Sequence, residues 1–138
     1  MTVPVQYEID GAAKTIRTKC FGLVTLEEVL GHFRALEVDP DCPDCLDVLL
    51  DLTEMATVPR SEELREVCRE IGRVRGRVRF RACAIAAPSD VLYGMIRMFQ
   101  VFAEDQFRET AAFRSVDEAE SWLSARRGRL LSGVSQQF

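Results

Sequence analysis

The sequence predicts a single α/β domain of the order β-β-α-β-α-β-α-β-α, with a mainly parallel central sheet and one antiparallel strand at its N-terminal edge. Three observations predict it. Apolar runs of strand length alternate with segments of helical apolar spacing, the pattern of crossover-connected parallel strands. The first two strand segments are joined by a turn signal rather than by a helix. The 138 residues, 15.6 kDa, suffice for one core and fall short of two ordinary domains.

Each element follows from its residues. Val3, Val5, Tyr7 and Ile9 alternate with Gln6 and Glu8; Asp10-Gly11 marks a turn; Ile16, Thr18 and Cys20 then alternate with Arg17 and Lys19. That is a hairpin with one wet face. Thr25 followed by Glu28 is a capping box, and Val29, Leu30, Phe33 and Leu36 continue at helical spacing until Pro40. The nearly continuous run Leu46, Val48, Leu49, Leu50, Leu52 reads as a strand covered on both faces, with Asp51 near its C-terminal end. Ser61 is placed to cap a helix to about Arg73, whose inner stripe is Leu64, Val67, Cys68 and Ile71. Residues 80–87 form a second buried strand stopped by Pro88, and a long helix spans 89–107. Residues 110–114 make the last strand. Ser115 and Glu118 then open a helix carrying Ala119, Trp122 and Leu123. Periodicity fades after 127, so residues 1–127 are assigned to the domain and 128–138 to a loosely ordered tail.

Composition excludes several classes. Apolar residues at 47% and charged residues at 29% are globular values, and no apolar run approaches the roughly 20 residues of a membrane span. The N-terminus lacks the charged-then-apolar pattern of a secretory leader, so a cytoplasmic protein without integral membrane association is expected. A net charge of −4 argues against general nucleic-acid binding. The first 60 residues carry 11 acids against 5 bases, while residues 61–138 carry 11 against 13. Arg73, Arg75, Arg77, Arg79 and Arg81 form the one strong local field, an expected patch for an anion or partner set against a solvated edge paired with the acidic half.

Enzyme chemistry finds little support in the residues. His32 is the only histidine and falls on a helix, and no nucleophile-elbow pattern is present. Arg75-Gly76-Arg77 lacks the glycines and lysine of a phosphate loop. Asp51 stands where α/β folds place sites, without a second acid or base in pattern. Cys42 and Cys45 invite a metal or redox reading, but zinc needs two more ligands and the pair precedes a strand. No cofactor, no metal and no catalytic residue are expected.

The long helix is the most informative element. Its residues Val91, Leu92, Met95, Ile96, Met98, Phe99, Phe102 and Ala103 fill an arc of about 160°, wider than the ~100° a sheet needs. The surplus reads as an apolar ligand groove, a homodimer face or deep core. Tyr93 and Arg97 stand beside it as polar handles, and Gly94 in mid-helix suggests a close backbone or ligand approach.

The order of elements resembles the STAS domain, and more closely the SpoIIAA-like, or STAS/SEC14-like, family of small bacterial proteins. The resembling stretches are Leu49-Leu50-Asp51-Leu52, Ala84-Ile85-Ala86-Ala87-Pro88-Ser89-Asp90, Tyr93-Gly94-Met95-Ile96-Arg97-Met98-Phe99, and Phe113-Arg114 with Glu118-Ala119 and Trp122-Leu123. They cover about residues 5–125. The resemblance implies a non-enzymatic binding or interaction domain of unassigned role with a lipid or other apolar ligand. The reading of the helix arc puts that ligand at Tyr93, Met95, Arg97, Met98, Phe99 and Phe102, and a homodimer is expected. It also implies an alternative, an anti-sigma-antagonist-like regulator that binds a partner protein and is phosphorylated at Ser61. There the family's Asp-Ser-Ser-Gly loop is replaced by Arg60-Ser61-Glu62-Glu63, whose carboxylates oppose a phosphate.

Overall fold

The computed structural model describes residues 3–136, with side chains described through Arg126. Two strands, β1 (Val5–Asp10) and β2 (Thr15–Gly22), precede α1 (Leu26–Glu37). Then β3 (Cys45–Met55), α2 (Ser61–Arg73), β4 (Arg79–Ala86), α3 (Asp90–Phe102), β5 (Glu109–Phe113) and α4 (Val116–Gln136) follow, with a short 3-10 turn at Val74–Gly76 after α2. The strands lie side by side in sequence order. β1 and β2 are antiparallel and every other neighbouring pair is parallel. The predicted α/β architecture is therefore observed.

The sheet separates two cores. Ile16, Cys20, Leu46, Leu52, Cys83 and Ile85 face α1, α2 and α3, which contribute Leu36, Leu64, Cys68, Ile71, Leu92, Ile96 and Phe99. On the reverse face Leu49, Ala82 and Ala84 meet Ala119 and Leu123 of α4. Small residues on β4 let α4 lie close. The period-2 alternation read from the sequence sorts these side chains correctly, because each inward position of one face is an outward position of the other.

Element ends differ from the sequence reading where local hydrogen bonding decides them. α3 stops at Phe102 rather than near 107; the chain turns at 103–106 so that Phe107 can enter the core. The N-cap of α2 is Arg60, with Ser61 as its first residue, because the Glu63 carboxylate accepts the Arg60 N–H at 2.8 Å. The capping box at Thr25/Glu28 forms as predicted, and at the start of α4 the Ser115 hydroxyl accepts the Glu118 N–H and donates to the Glu118 carboxylate. α4 continues as helical backbone to Gln136, past residue 127. The boundary read there is therefore not a helix end, and how the tail's side chains are held lies outside the described residues.

β3 and β4 are not in continuous register. Leu46 pairs with Phe80 and Val48 with Cys83, so Arg81 and Ala82 stand together opposite Asp47. The buried Asp47 carboxylate accepts the Ala82 N–H at 3.2 Å and lies 3.5 Å from Arg81 Nε. An acid inside the sheet thus supplies the acceptor that the bulge removes.

Candidate functional site

The inner core is not filled. A cavity of about 390 Å³ lies between the sheet and the three helices, within the size range of small-molecule sites. Its floor is β2 and β3, with Ile16, Cys20, Val48, Leu50 and Leu52; its walls are Val29 and Phe33 of α1 and Leu64, Val67 and Ile71 of α2. Phe80, Phe99 and Phe107 close the far end, and Phe33 stands edge-on to Phe80 at 6.2 Å between ring centroids. Val48 and Leu50 are in the middle of the sheet yet only half-buried. Central-strand side chains beneath a packed helix layer would be fully covered, so their exposure registers the empty space above them.

The cavity opens where β2 and β3 end, at the carboxyl edge of the parallel strands. Ligands of open α/β sheets bind on that side because the loops there diverge to opposite helices. Here Val24, Thr25 and Leu26 form one lip and Thr57, Val58 and Pro59 the other, with Val58 45% exposed. The lips are joined below the mouth. Ala56 N–H donates to the Gly22 carbonyl at 2.7 Å. Val24 N–H donates to Thr57 Oγ1 at 3.1 Å, and that hydroxyl donates back to the Val24 carbonyl at 3.2 Å.

Few lining groups are polar, and their states are set by burial. Thr18, on the inward face of β2 and only 5% exposed, has its Oγ1 buried without a hydrogen-bond partner among the described residues. The same holds for His32 Nδ1 on α1. Tyr7 is paired with Thr18 across β1 and β2, and its ring lies 5.2 Å from that of His32. The Tyr7 hydroxyl is engaged elsewhere, donating to Asp39 Oδ2 at 2.6 Å. Burial and that acid push the Tyr7 phenol up to about 12. Burial also pushes the Cys20 thiol up to about 11 and the Cys83 thiol upward, so both line the cavity as neutral groups. Desolvation lowers His32 from 6.5 to about 4, leaving a neutral imidazole at pH 7.

His32 therefore makes a pH prediction. Its folded pKa lies below the unfolded value, so as pH falls the unfolded chain takes up a proton first. Stability should be level above about pH 7 and decline between pH 6.5 and 4, by up to about 3 kcal/mol from this group. In urea melts across that range, His32→Phe should lack this limb. Equal pH slopes for the two proteins would contradict the neutral, buried imidazole.

The long helix contributes differently from the sequence expectation. Of its proposed ligand residues only Phe99 lines the cavity, together with Ile96. Met95 and Phe102 pack against the core from its edge, and the Phe102 ring lies 4.7 Å beneath the Arg65 guanidinium. Tyr93 lies 4.2 Å beneath Arg114, while Arg97 and Met98 are exposed. Tyr93 and Arg97 are therefore not handles for this cavity. Of the apolar arc, Val91 and Met98 are on the surface instead, and Val101, outside the arc, is exposed as well. A Cβ built on Gly94 meets nothing within 4 Å, so no close approach within the chain explains that glycine.

Thr18 and His32 were passed over by sequence reasoning, although both carried a signal. Thr18 is the polar member of the inward set Ile16-Thr18-Cys20, and His32 falls on the inward stripe with Val29, Phe33 and Leu36. A polar residue on an apolar stripe is informative when the structure gives it no partner.

The remaining candidates are placed as follows. The five arginines do not converge on one site. Arg73 bonds Glu37 and Glu70. Arg75 reaches the Asp105 carbonyl, Arg77 donates to the carbonyls of Asp39 and Cys42, and Arg81 pairs with Asp47. Among the described residues, Arg79 is the one of the five without an ion pair or side-chain hydrogen bond. Of these partners Glu37, Asp39, Cys42 and Asp47 belong to the acidic N-terminal half. Asp51 accepts from Thr53 N–H and Thr53 Oγ1 and lies 3.7 Å from Lys19, on the face opposite the cavity. Cys42, in the loop before β3, and Cys45, the first residue of β3, are free thiols, and no metal-type cluster occurs among the described residues. Ser61 is half-buried at the start of α2, beside the mouth. No helix among the described residues is long and apolar enough to cross a membrane. No family model matches the chain, and no curated protein matches it.

Proposed function

We propose that the protein is a non-enzymatic binding domain that holds an apolar small molecule in the cavity between its sheet and helices α1–α3. The observation that carries this is the cavity itself, about 390 Å³ of apolar space in a domain otherwise well covered. Protein interiors are close-packed, and a void of this size unfilled would forfeit contacts on every lining side chain. A binding site is the physical reason to retain it. A catalytic reading has less to rest on, since His32 Nδ1 has no partner to orient it as a base. The resemblance to STAS/SEC14-like domains, carried by the element order, is consistent with an apolar ligand. Its ligand would enter from the carboxyl edge, between the Thr25 and Val58 lips, rather than lie along α3.

The test is a fluorescence titration with N-phenyl-1-naphthylamine, an uncharged apolar probe whose emission rises out of water. One probe per chain should bind saturably, with Kd on the order of micromolar. Native mass spectrometry of the freshly purified protein should detect a co-purifying apolar molecule that the probe displaces. A linear, non-saturating fluorescence rise would overturn the proposal.

A further inference from the structure

We infer that the ligand is an uncharged molecule with an apolar body and one hydroxyl or carbonyl group, which Thr18 and His32 receive inside the cavity. This rests on the binding reading above and names the chemistry of the same site. Three observations carry it. The first is the pair of orphan polar atoms. Thr18 Oγ1 and His32 Nδ1 are buried on the cavity lining without partners, and both residues neighbour Tyr7, which brings them to one region of the wall. A hydroxyl donates and accepts, and a neutral imidazole has one donor and one acceptor nitrogen. Together they can serve a ligand hydroxyl in either direction, or a carbonyl as donors. Buried polar groups in native proteins are otherwise paired, so the missing partners point to something that supplies them.

The second observation is charge. Among the described lining residues Glu63 alone is charged, and it stands at the mouth. Among the described residues no lysine or arginine lines the cavity, so a carboxylate or phosphate carried inside would be desolvated without a counter-ion from them. The third concerns the helix ends. The N-termini of α1 and α2 flank the mouth and would favour an anion through their unpaired N–H groups. Each already holds a carboxylate: Glu28 accepts the Thr25 N–H at 2.9 Å, and Glu63 accepts the Arg60 N–H at 2.8 Å. The N-cap N–H groups that could receive an anionic head group are therefore already taken by carboxylates, and the Arg60 guanidinium is itself engaged 3.5 Å from Glu63.

The experiment displaces N-phenyl-1-naphthylamine at pH 7 with three matched competitors: naphthalene, 2-naphthol and 2-naphthoate. 2-Naphthol should bind about 10-fold or more tightly than naphthalene, the gain expected from one or two hydrogen bonds to otherwise orphaned groups. 2-Naphthoate should be the weakest. In Thr18→Val, which keeps the shape and removes only the hydroxyl, naphthalene affinity should hold while the preference for 2-naphthol falls to about 3-fold or less. His32→Phe serves as the second variant and should lower the same ratio. Equal binding of naphthalene and 2-naphthol, or a preference for 2-naphthoate, overturns this inference and leaves the cavity a binding site. Failure of the probe to bind at all overturns both.

Discussion

Leu50→Trp is expected to abolish probe binding while leaving the fold at least as stable. Leu50 projects from the middle of β3 into the cavity and keeps accessible surface there. An indole at that position would occupy the space between β3 and the α1 and α2 walls, where Phe33 and Val67 stand. In a filled core, a leucine-to-tryptophan change forces side chains off their rotamers and costs about 1–3 kcal/mol. Over an empty volume the added rings instead gain contacts and bury apolar area, at about 25 cal/mol per Å². The two cases give opposite signs. Probe affinity should fall by about 30-fold or more, close to loss of binding, with the thermal midpoint unchanged or raised. A midpoint lowered by several degrees, with binding retained, would mean that the cavity is not open above β3.

The order of the elements was legible because strand and helix periods are dictated by covalent geometry. Val5, Tyr7 and Ile9, or Leu64, Cys68 and Ile71, announce their face whatever packs on it. The site was less legible for a related reason. Periodicity records which side chains point inward, and the inward residues of α1 and α2 look alike whether their neighbours touch or stand apart. The wide arc of α3 exceeds what the sheet can cover, and a surplus is a surface property: Val91 and Met98 are exposed. The cavity lies instead between residues that looked like ordinary core. Its trace in the sequence is the misfit of Thr18 and His32, two polar groups on apolar stripes, and only the missing partners give that misfit its meaning. Arg73 to Arg81 illustrate the converse. Their density suggested one field, but a helix end, a 3-10 turn and a bulged strand send the guanidiniums to separate partners.

Asp47→Ala should be among the most damaging single changes, costing about 2–4 kcal/mol, because it removes the one acceptor that lets β4 bulge. Between the pairs Leu46–Phe80 and Val48–Cys83, β4 holds two residues where β3 holds one. The Ala82 N–H therefore relies on Asp47 Oδ1, and Ala82 is 7% exposed, leaving water little access as a substitute. Truncation would orphan that donor and leave Arg81 without its carboxylate. The Arg81 side chain retains 32% exposure, so hydration recovers part of the second loss, and the orphaned N–H is the larger share. Asp47→Asn separates the two. The amide oxygen keeps the Ala82 bond while the ion pair is lost, so its cost should be about 1 kcal/mol or less. Thermal unfolding should show Asp47→Ala lower by about 10 °C and Asp47→Asn by only a few degrees. Equal losses would assign the stabilisation to the charge rather than to the bulge. The consequence reaches the cavity, because the bulge sets which β4 residues face inward. Cys83 follows the two residues of the bulge and lines the cavity, as Phe80 does before them. A β4 without its bulge would shift one of these two relative to β3 and to the far wall. Asp47→Ala should therefore weaken N-phenyl-1-naphthylamine binding even at temperatures where the variant remains folded, and Asp47→Asn should not.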